Sequence, residues 1–400
     1  LTTLLISEIF PPRHGGSGRW FWEIYRRLPR ADFLIAAGED PQQESYDRAH
    51  DLRIVRMPLT LQQWGIASLC GLQGYTRAIL RLRRLAAEHH VTAIHSGRCL
   101  PEGIMALALR HSVGIPYACY VHGEDVNTAT LSREHHWLAR RVLGGAHLVI
   151  ANSRNTERIL RQEWGLPVDR VRVLHPGVDT DRFVPAPRDA AVRARLGWGD
   201  RPVILTVGRL QQRKGHDRMI EAVGKVRRTI PDVLYSVVGG GEERDRLGEL
   251  TACAGLAGHV QFLGELADED LIRCYQQCDM FTLPNRQVGK DIEGFGMVLL
   301  EAQACGKPVI AGNSGGTAET MKIPETGWVV AADDPAELAE SIINILSDRG
   351  RMARMGLAAR AWVSGQFSWD ELAPRAGSIF REMVRCRSQD TCFHEHEVDV

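Results

Sequence analysis

Asp291-Ile292-Glu293-Gly294-Phe295-Gly296-Met297-Val298-Leu299-Leu300-Glu301 is the stretch that organises the rest of the chain. It follows the β-rich run Met280–Leu283 and opens a helical pattern predicted to reach about Ala304. Seven residues lie between Glu293 and Glu301, a separation of just over two helical turns, so the pattern predicts both carboxylates on one face. Gly294 and Gly296 let the backbone approach a ligand closely. A helix N-terminus beside them offers free N–H groups and positive potential to a diphosphate or to sugar hydroxyls. Two solvated glutamates on an amphipathic helix would use the same letters. The position after a strand and a loop favours a site.

Short β-rich runs alternate with longer helical patterns on both sides of this stretch. The first half offers Thr3–Ile9, Asp32–Ala37, Arg53–Met57, Ala93–Ser96, Tyr117–Val121, Leu148–Asn152 and Arg172–Leu174. The second offers Val203–Val207, Leu234–Val238, Val260–Leu263, Met280–Leu283, Pro308–Ala311 and Gly327–Val330. Helical patterns such as Thr76–Glu88, Arg154–Trp164, Asp217–Arg227 and Asp334–Leu346 separate most neighbours. Such alternation predicts an α/β protein of βαβ units with two doubly wound parallel sheets. The boundary is expected in the Pro-containing stretch 184–188. That gives domains 1–183 and 184–368, a helix at about 369–385 that packs back on the first domain, and a tail 386–400.

Further loops fall at the expected carboxyl ends of strands, where open α/β sheets bind ligands. In Val207-Gly208-Arg209-Leu-Gln-Gln-Arg-Lys214-Gly215, Arg209 and Lys214 are two cations suited to a departing diphosphate. A solvated basic loop is the bland alternative. His14-Gly15-Gly16-Ser17-Gly18-Arg19 can cradle phosphate on backbone N–H groups. It is not a dinucleotide fingerprint, because Phe21 stands at the third glycine position, and it lacks the Lys-Ser/Thr of a P-loop. Val238-Gly239-Gly240-Gly241 fails the same test at Arg244. His122 follows Tyr117–Val121 and reads as a sugar contact or as a structural hydrogen-bonder. Gly315-Gly316-Thr317-Ala318-Glu319 follows Pro308–Ala311. A cleft between two facing sheets would gather these loops.

Composition narrows the class. The chain has 400 residues with 44% hydrophobic and 24% charged, a globular balance with room for two cores. Formal net charge is zero, which gives no argument for nucleic-acid binding. Residues 1–185 carry 23 Arg, no Lys and 18 acidic residues, while residues 186–400 carry 26 basic and 31 acidic. The basic first half suits an anionic acceptor or membrane surface, or is ordinary variation between domains. Nine scattered Cys do not form a disulfide framework and fit a reduced compartment. The tail Cys386…Cys392-Phe-His394-Glu-His396 resembles a metal set only superficially, since its flanks are polar. No run of 18 apolar residues suggests a membrane span. The apolar run Leu4–Phe10 contains Glu8 and ends in Pro11-Pro12, unlike a signal peptide. The expected location is the cytoplasm, either free or peripheral at the inner face of the cell membrane.

The set of motifs resembles the retaining glycosyltransferases of the GT-B fold, family 4. The matching pieces are Gly15-Gly16, His122-Gly123, Pro176-Gly-Val-Asp179, Val207-Gly-Arg209…Lys214-Gly215, Val260-Gln-Phe-Leu-Gly264, Glu293…Glu301 and Gly315-Gly316…Glu319. Within it, residues 291–320 look like the phosphatidylinositol mannosyltransferase branch, whose donor is GDP-mannose. The resemblance implies two Rossmann-like domains facing across a cleft. It implies that Arg209 and Lys214 bind the diphosphate, helped by N–H groups near Gly15, Gly16 and Gly316. Glu301 would hold the ribose hydroxyls. Glu293 with the Gly294–Phe295–Gly296 backbone would hold the transferred sugar, contacted also by His122. Phe262 and Leu263 would edge the base pocket. The catalytic set would be Glu293, Arg209, Lys214 and His122.

The implied reaction moves a hexosyl group, mannose by preference, from a nucleotide-sugar donor to a hydroxyl of a lipid or glycan acceptor. It retains configuration by a front-face route. No cofactor and no metal is expected, since Arg and Lys supply the charge and no Asp-x-Asp motif has a strand-end setting. A UDP-sugar donor is the near alternative. A nucleotide-sugar epimerase, a non-catalytic nucleotide-sugar binder and an NAD-dependent oxidoreductase are the distant ones. Arg19-Trp20-Phe21-Trp22 and Gln62–Arg84 mix aromatic, apolar and basic residues. The latter reads either as a helix on an anionic membrane or as a surface helix with a solvated basic face.

Overall fold

A computed structural model describes residues 2–13 and 15–394, with side chains as far as Met383. The chain divides into two compact units. The first holds residues up to Pro176 together with the segment from Trp369; the second is Gly177–Ser368.

The first unit is built on β1 (Thr2–Ser7), β2 (Phe33–Gly38), β3 (Ile54–Met57), β4 (Val91–Ser96), β5 (Tyr117–Val121), β6 (Leu148–Ala151) and β7 (Val171–Val173). They form one sheet in the order β3-β2-β1-β4-β5-β6-β7, with every neighbour parallel. Leu4, Leu5 and Ile6 are all fully buried. Such unbroken burial is what helices on both faces of a parallel sheet impose. The helix Trp369–His394 covers part of one face. Its Trp369, Leu372, Ala373, Ala376, Phe380 and Met383 recur at helical spacing and join the core with Tyr25, Phe33 and Ile35. Phe380 lies 4.4 Å from the His95 ring and 5.8 Å from that of Tyr25. The tail from Cys386 lies outside the described side chains.

The second unit is built on β8 (Val203–Val207), β9 (Leu234–Val238), β10 (Val260–Gly264), β11 (Met280–Leu283), β12 (Val309–Gly312) and β13 (Gly327–Val330). Its order is β10-β9-β8-β11-β12-β13, again all parallel. Both sheets therefore reverse their winding once, between β1 and β4 and between β8 and β11. Loops leaving the two strands at such a point diverge and open a crevice at the carboxyl edge.

All thirteen expected strands form, with ends displaced by at most two residues. The division between units falls at Pro176–Gly177, earlier than the 183/184 boundary expected from composition. The cause is packing. The Val178 N–H donates to the Phe367 carbonyl at 2.9 Å, and Val178 and Phe183 are buried in the second unit's core. The Pro-containing stretch 184–188 follows a segment already committed to that core.

Candidate active site in the second unit

Three loops at the carboxyl edge of the second sheet are tied together by buried bonds. The loop after β8 ends in a short helical turn, Gln212–Lys214, closed by Gly215 at φ 71°. A Cβ on Gly215 would stand 1.8 Å from the Pro284 carbonyl oxygen, so only glycine lets this loop lie on the one after β11. The Arg286 N–H donates to the Arg213 carbonyl at 2.8 Å across the same seam. Asn285, fully buried, links onward to the loop after β12. Its Oδ1 accepts from the Gly312 N–H at 3.1 Å, and its Nδ2 donates to the Ser314 carbonyl at 2.8 Å. Finally the Gly316 N–H donates to the Glu293 carbonyl at 3.2 Å.

The result is a fixed carboxylate. Glu293 is 8% exposed, and its Oε2 accepts from Arg213 Nη1 at 2.5 Å and from Lys214 Nζ at 2.6 Å. Burial alone would raise this carboxyl, but the two cations outweigh it and hold Glu293 below the ordinary glutamate range. Asp291 lies 3.2 Å from Arg213 Nε. Burial lifts its carboxyl above the ordinary range, against the pull of Arg213. Arg209 is exposed at the head of the same basic loop. The crevice edge thus presents a buried, charge-balanced carboxylate beside one half-buried and one exposed cation. That combination can hold hydroxyls and a polyanion side by side.

Several expectations need correction here. The helix begins only at Met297, after Gly296 at φ 91°, so Glu293 is not on it and the shared helical face with Glu301 does not exist. The left-handed Gly296 turns the chain out of helical register. Glu301 is on the helix, buried, and accepts from the Tyr275 hydroxyl at 2.6 Å. Phe295 turns its side chain into the core, 5.9 Å from the Phe367 ring, which leaves only its backbone for a ligand. The Gly316 N–H, expected for phosphate, is spent on the Glu293 carbonyl. Phe262 and Leu263 are half-buried on opposite faces of edge strand β10, with the Arg244 guanidinium 4.3 Å from the Phe262 ring.

The remaining expected residues lie in the first unit. Gly16 opens the helix Gly16–Tyr25 after Gly15. Its first-turn N–H groups have no partner within the helix and can face an anion. A Cβ on Gly18 would stand 2.8 Å from the Ile9 carbonyl oxygen and one on Gly15 would stand 2.6 Å from the Ile9 side chain, so both positions favour glycine. His122 sits after β5. Its Nε2 lies 2.8 Å from the Gly97 carbonyl, so that nitrogen carries the proton and Nδ1 is left as the acceptor of the neutral ring. Its main-chain N–H donates to Asp125 at 3.0 Å.

Arg213, Asn285 and Tyr275 were not singled out from sequence. Arg213 stands in the basic loop already noted, but nothing local separates its buried side chain from a solvated one. A groove of about 830 Å³ lined by Pro187, Asp189, Arg273 and Gln277 lies elsewhere. Asp189 and Gln277 precede β8 and β11, so it belongs to the amino edge of the sheet, not to the ligand-binding edge.

Comparison with known proteins divides the chain into two parts as well. The model for Glycosyltransferase Family 4 matches residues 13–182, and that for Glycosyl transferases group 1 matches residues 189–362. A GDP-mannose-dependent alpha-(1-6)-phosphatidylinositol monomannoside mannosyltransferase of Mycobacterium tuberculosis is 35% identical over 387 residues, 94% of this chain and 97% of its own. The chain belongs to glycosyltransferase family 4. This family 4 enzyme is also 32% identical to a GDP-mannose-dependent monoacylated alpha-(1-6)-phosphatidylinositol monomannoside mannosyltransferase of Corynebacterium glutamicum, across 96% of this chain and 98% of the relative. Among solved structures, sucrose-phosphate synthase from Thermosynechococcus elongatus superposes with a TM-score of 0.81 at 24% identity, covering 96% of this chain and 100% of that one. An Anabaena protein in complex with UDP-glucose gives 0.80 at 21%, with the same coverage. These likenesses establish the GT-B fold of the family 4 enzyme.

Proposed function

We propose that this enzyme transfers a mannosyl group from GDP-mannose to a hydroxyl of a lipid or glycan acceptor, with retention and without a metal ion. The observation that carries the donor is 35% identity, over 94% of the chain, to a relative that is GDP-mannose-dependent. In this reading Lys214 and Arg209 take the diphosphate, Glu293 with the Gly294 and Gly296 backbone takes the sugar, and Glu301 takes the ribose. Phe262 and Leu263 edge the base.

The chemistry follows from where charge develops. The bond from the anomeric carbon to the diphosphate oxygen breaks, and a bond to the acceptor oxygen forms on the same face. The acceptor's proton passes to the departing diphosphate. Positive charge grows on the sugar and negative charge on the diphosphate, so fixed cations on the latter stabilise the transition state more than the ground state.

A thermal-shift panel of GDP, UDP and ADP tests the donor, since stabilisation follows RT ln(1 + [L]/Kd). GDP is expected to raise the midpoint most; a larger shift with UDP replaces the donor. Product analysis with donor alone separates transfer from epimerisation, because an epimer formed without acceptor rejects transfer.

The acceptor proposal includes a membrane contact. The helix Leu69–Glu88 exposes Leu69, Leu72 and Leu80 beside Arg77, Arg81, Arg83 and Arg84. An apolar strip flanked by arginines fits the inner, anionic leaflet of a cell membrane. Among the described residues no helix is long and apolar enough to cross a membrane. Sedimentation with anionic vesicles, but not with neutral ones, is the expected result; no sedimentation with either rejects the contact.

A further inference from the structure

We propose that Arg213 is a positioning residue for Glu293, which it keeps ionised and aimed while Lys214 leaves that carboxylate for the donor diphosphate. The inference rests on the donor-site assignment above and adds a division of labour among three cations of one loop.

The three differ in placement. Arg209 is exposed and Lys214 half-buried, whereas Arg213 is 6% exposed. Arg213 reaches two carboxylates at once: its Nη1 is 2.5 Å from Glu293 Oε2 and its Nε is 3.2 Å from Asp291 Oδ1. Its main chain is held too, since its carbonyl accepts from the Arg286 N–H at 2.8 Å. Arg286 in turn grips Asp217 through two bonds of 2.9 Å each. A planar guanidinium fixed between two acids keeps its orientation.

Lys214 differs in kind. It is a point charge on a four-carbon stem, 2.6 Å from the same Oε2. An arriving diphosphate brings more negative charge than one carboxylate and competes for it. If Lys214 were the sole partner of Glu293, donor binding would strip a buried carboxylate of its counter-charge. Its pKa would then climb and its geometry loosen. A second cation on the same oxygen prevents this. The charged groups bearing on the pair are Lys214 and Arg213 from the loop after β8, Asp291 from Glu293's own loop, and Arg209 acting on Asp291. The loop after β12 contributes backbone at Gly315 and Gly316.

The test compares wild type, Arg213→Ala, Arg213→Lys, Lys214→Ala and Asp291→Asn. The readouts are GDP affinity by calorimetry and the pH profile of kcat. Arg213→Ala is expected to keep GDP affinity within roughly threefold while kcat falls at least about thirtyfold. Its acid limb is expected to move up by about one pH unit, because a carboxylate losing a cation protonates more readily. Arg213→Lys restores part of both effects. Lys214→Ala weakens GDP at least about tenfold. Asp291→Asn leaves Arg213 wholly to Glu293, so its acid limb moves down with GDP affinity unchanged. If Arg213→Ala weakens GDP as much as Lys214→Ala and leaves the acid limb in place, Arg213 is a phosphate ligand and the proposal is overturned. If Arg213→Ala does not fold, an unmoved limb in Asp291→Asn overturns it. Absence of GDP binding by wild type would instead remove the donor assignment beneath it.

Discussion

Lys214 and Glu293 form an ion pair, Nζ to Oε2 at 2.6 Å, although 79 positions separate them in the chain. The pair spans the β8/β11 crevice and sets the cation proposed for the diphosphate against the carboxylate proposed for the sugar. Lys214→Ala and Arg209→Ala are each expected to lower turnover at least about a hundredfold. That matches the roughly 2.7–4 kcal/mol lost when a donor to a developing oxyanion is removed. Steady-state transfer kinetics check this, and near-normal rates in both variants reject the assignment.

Glu293 depends on a glycine that it never touches through its side chain. Gly315 has φ +70°, and a Cβ there would stand 1.6 Å from the Glu293 carbonyl oxygen. Gly315→Ala is expected to destabilise the fold by about 1–3 kcal/mol or more and to depress kcat by displacing Glu293. Gly258, with open space around its Cβ position, is the control. Gly258→Ala should stay within about 0.5 kcal/mol. Urea midpoints measure both.

Tyr275 donates to Glu301 at 2.6 Å in a buried setting. Tyr275→Phe removes the bond and leaves a buried carboxylate oxygen without it, a cost of about 1–3 kcal/mol. With Glu301 on the ribose, the donor KM should rise several-fold while kcat changes little. A change in kcat alone would place Glu301 elsewhere in the reaction.

Two buried histidines make stability pH-dependent. Burial lowers His95 to about 3 and His216 to about 4, each from 6.5. Below pH 6.5 the unfolded chain takes up these protons while the folded chain does not. Stability therefore falls as pH drops from 6.5 toward the folded values, by about 2 kcal/mol per histidine at pH 5. Thermal midpoints of wild type between pH 7.5 and 5 should fall accordingly. His216→Gln should flatten the slope, whatever its effect at neutral pH; an unchanged slope would show that His216 titrates normally.

The reaction is proposed to run on Arg and Lys charge. Transfer is expected to continue at full rate in excess chelator, and abolition that added divalent metal restores would require a metal in the site.

The strands were legible because their signal is local. Runs such as Val203–Val207 are apolar throughout, as strands buried on both faces must be. The glycines after them mark turns for the same local reason. The motifs from Arg209 to Gly316 carried the family because their spacing survives in the letters. The start of the helix after Gly296 was misplaced, since apolar periodicity continues through a residue whose φ alone breaks it. The core position of Phe295 was hidden in the same way.

The amino-acid order thus determined the secondary elements, the doubly wound class and the family, all of which rest on neighbours within a few turns of chain. Tertiary structure decided which loops meet. Parallel strand order sets β8 beside β11, and only then does Arg213, 80 positions from Glu293, become buried against it. It also decided that Val178 and Phe183 belong to the second core. A side chain's burial and counter-charge are fixed by non-local packing, and no local pattern distinguishes Arg213 from the exposed Arg209 four residues before it.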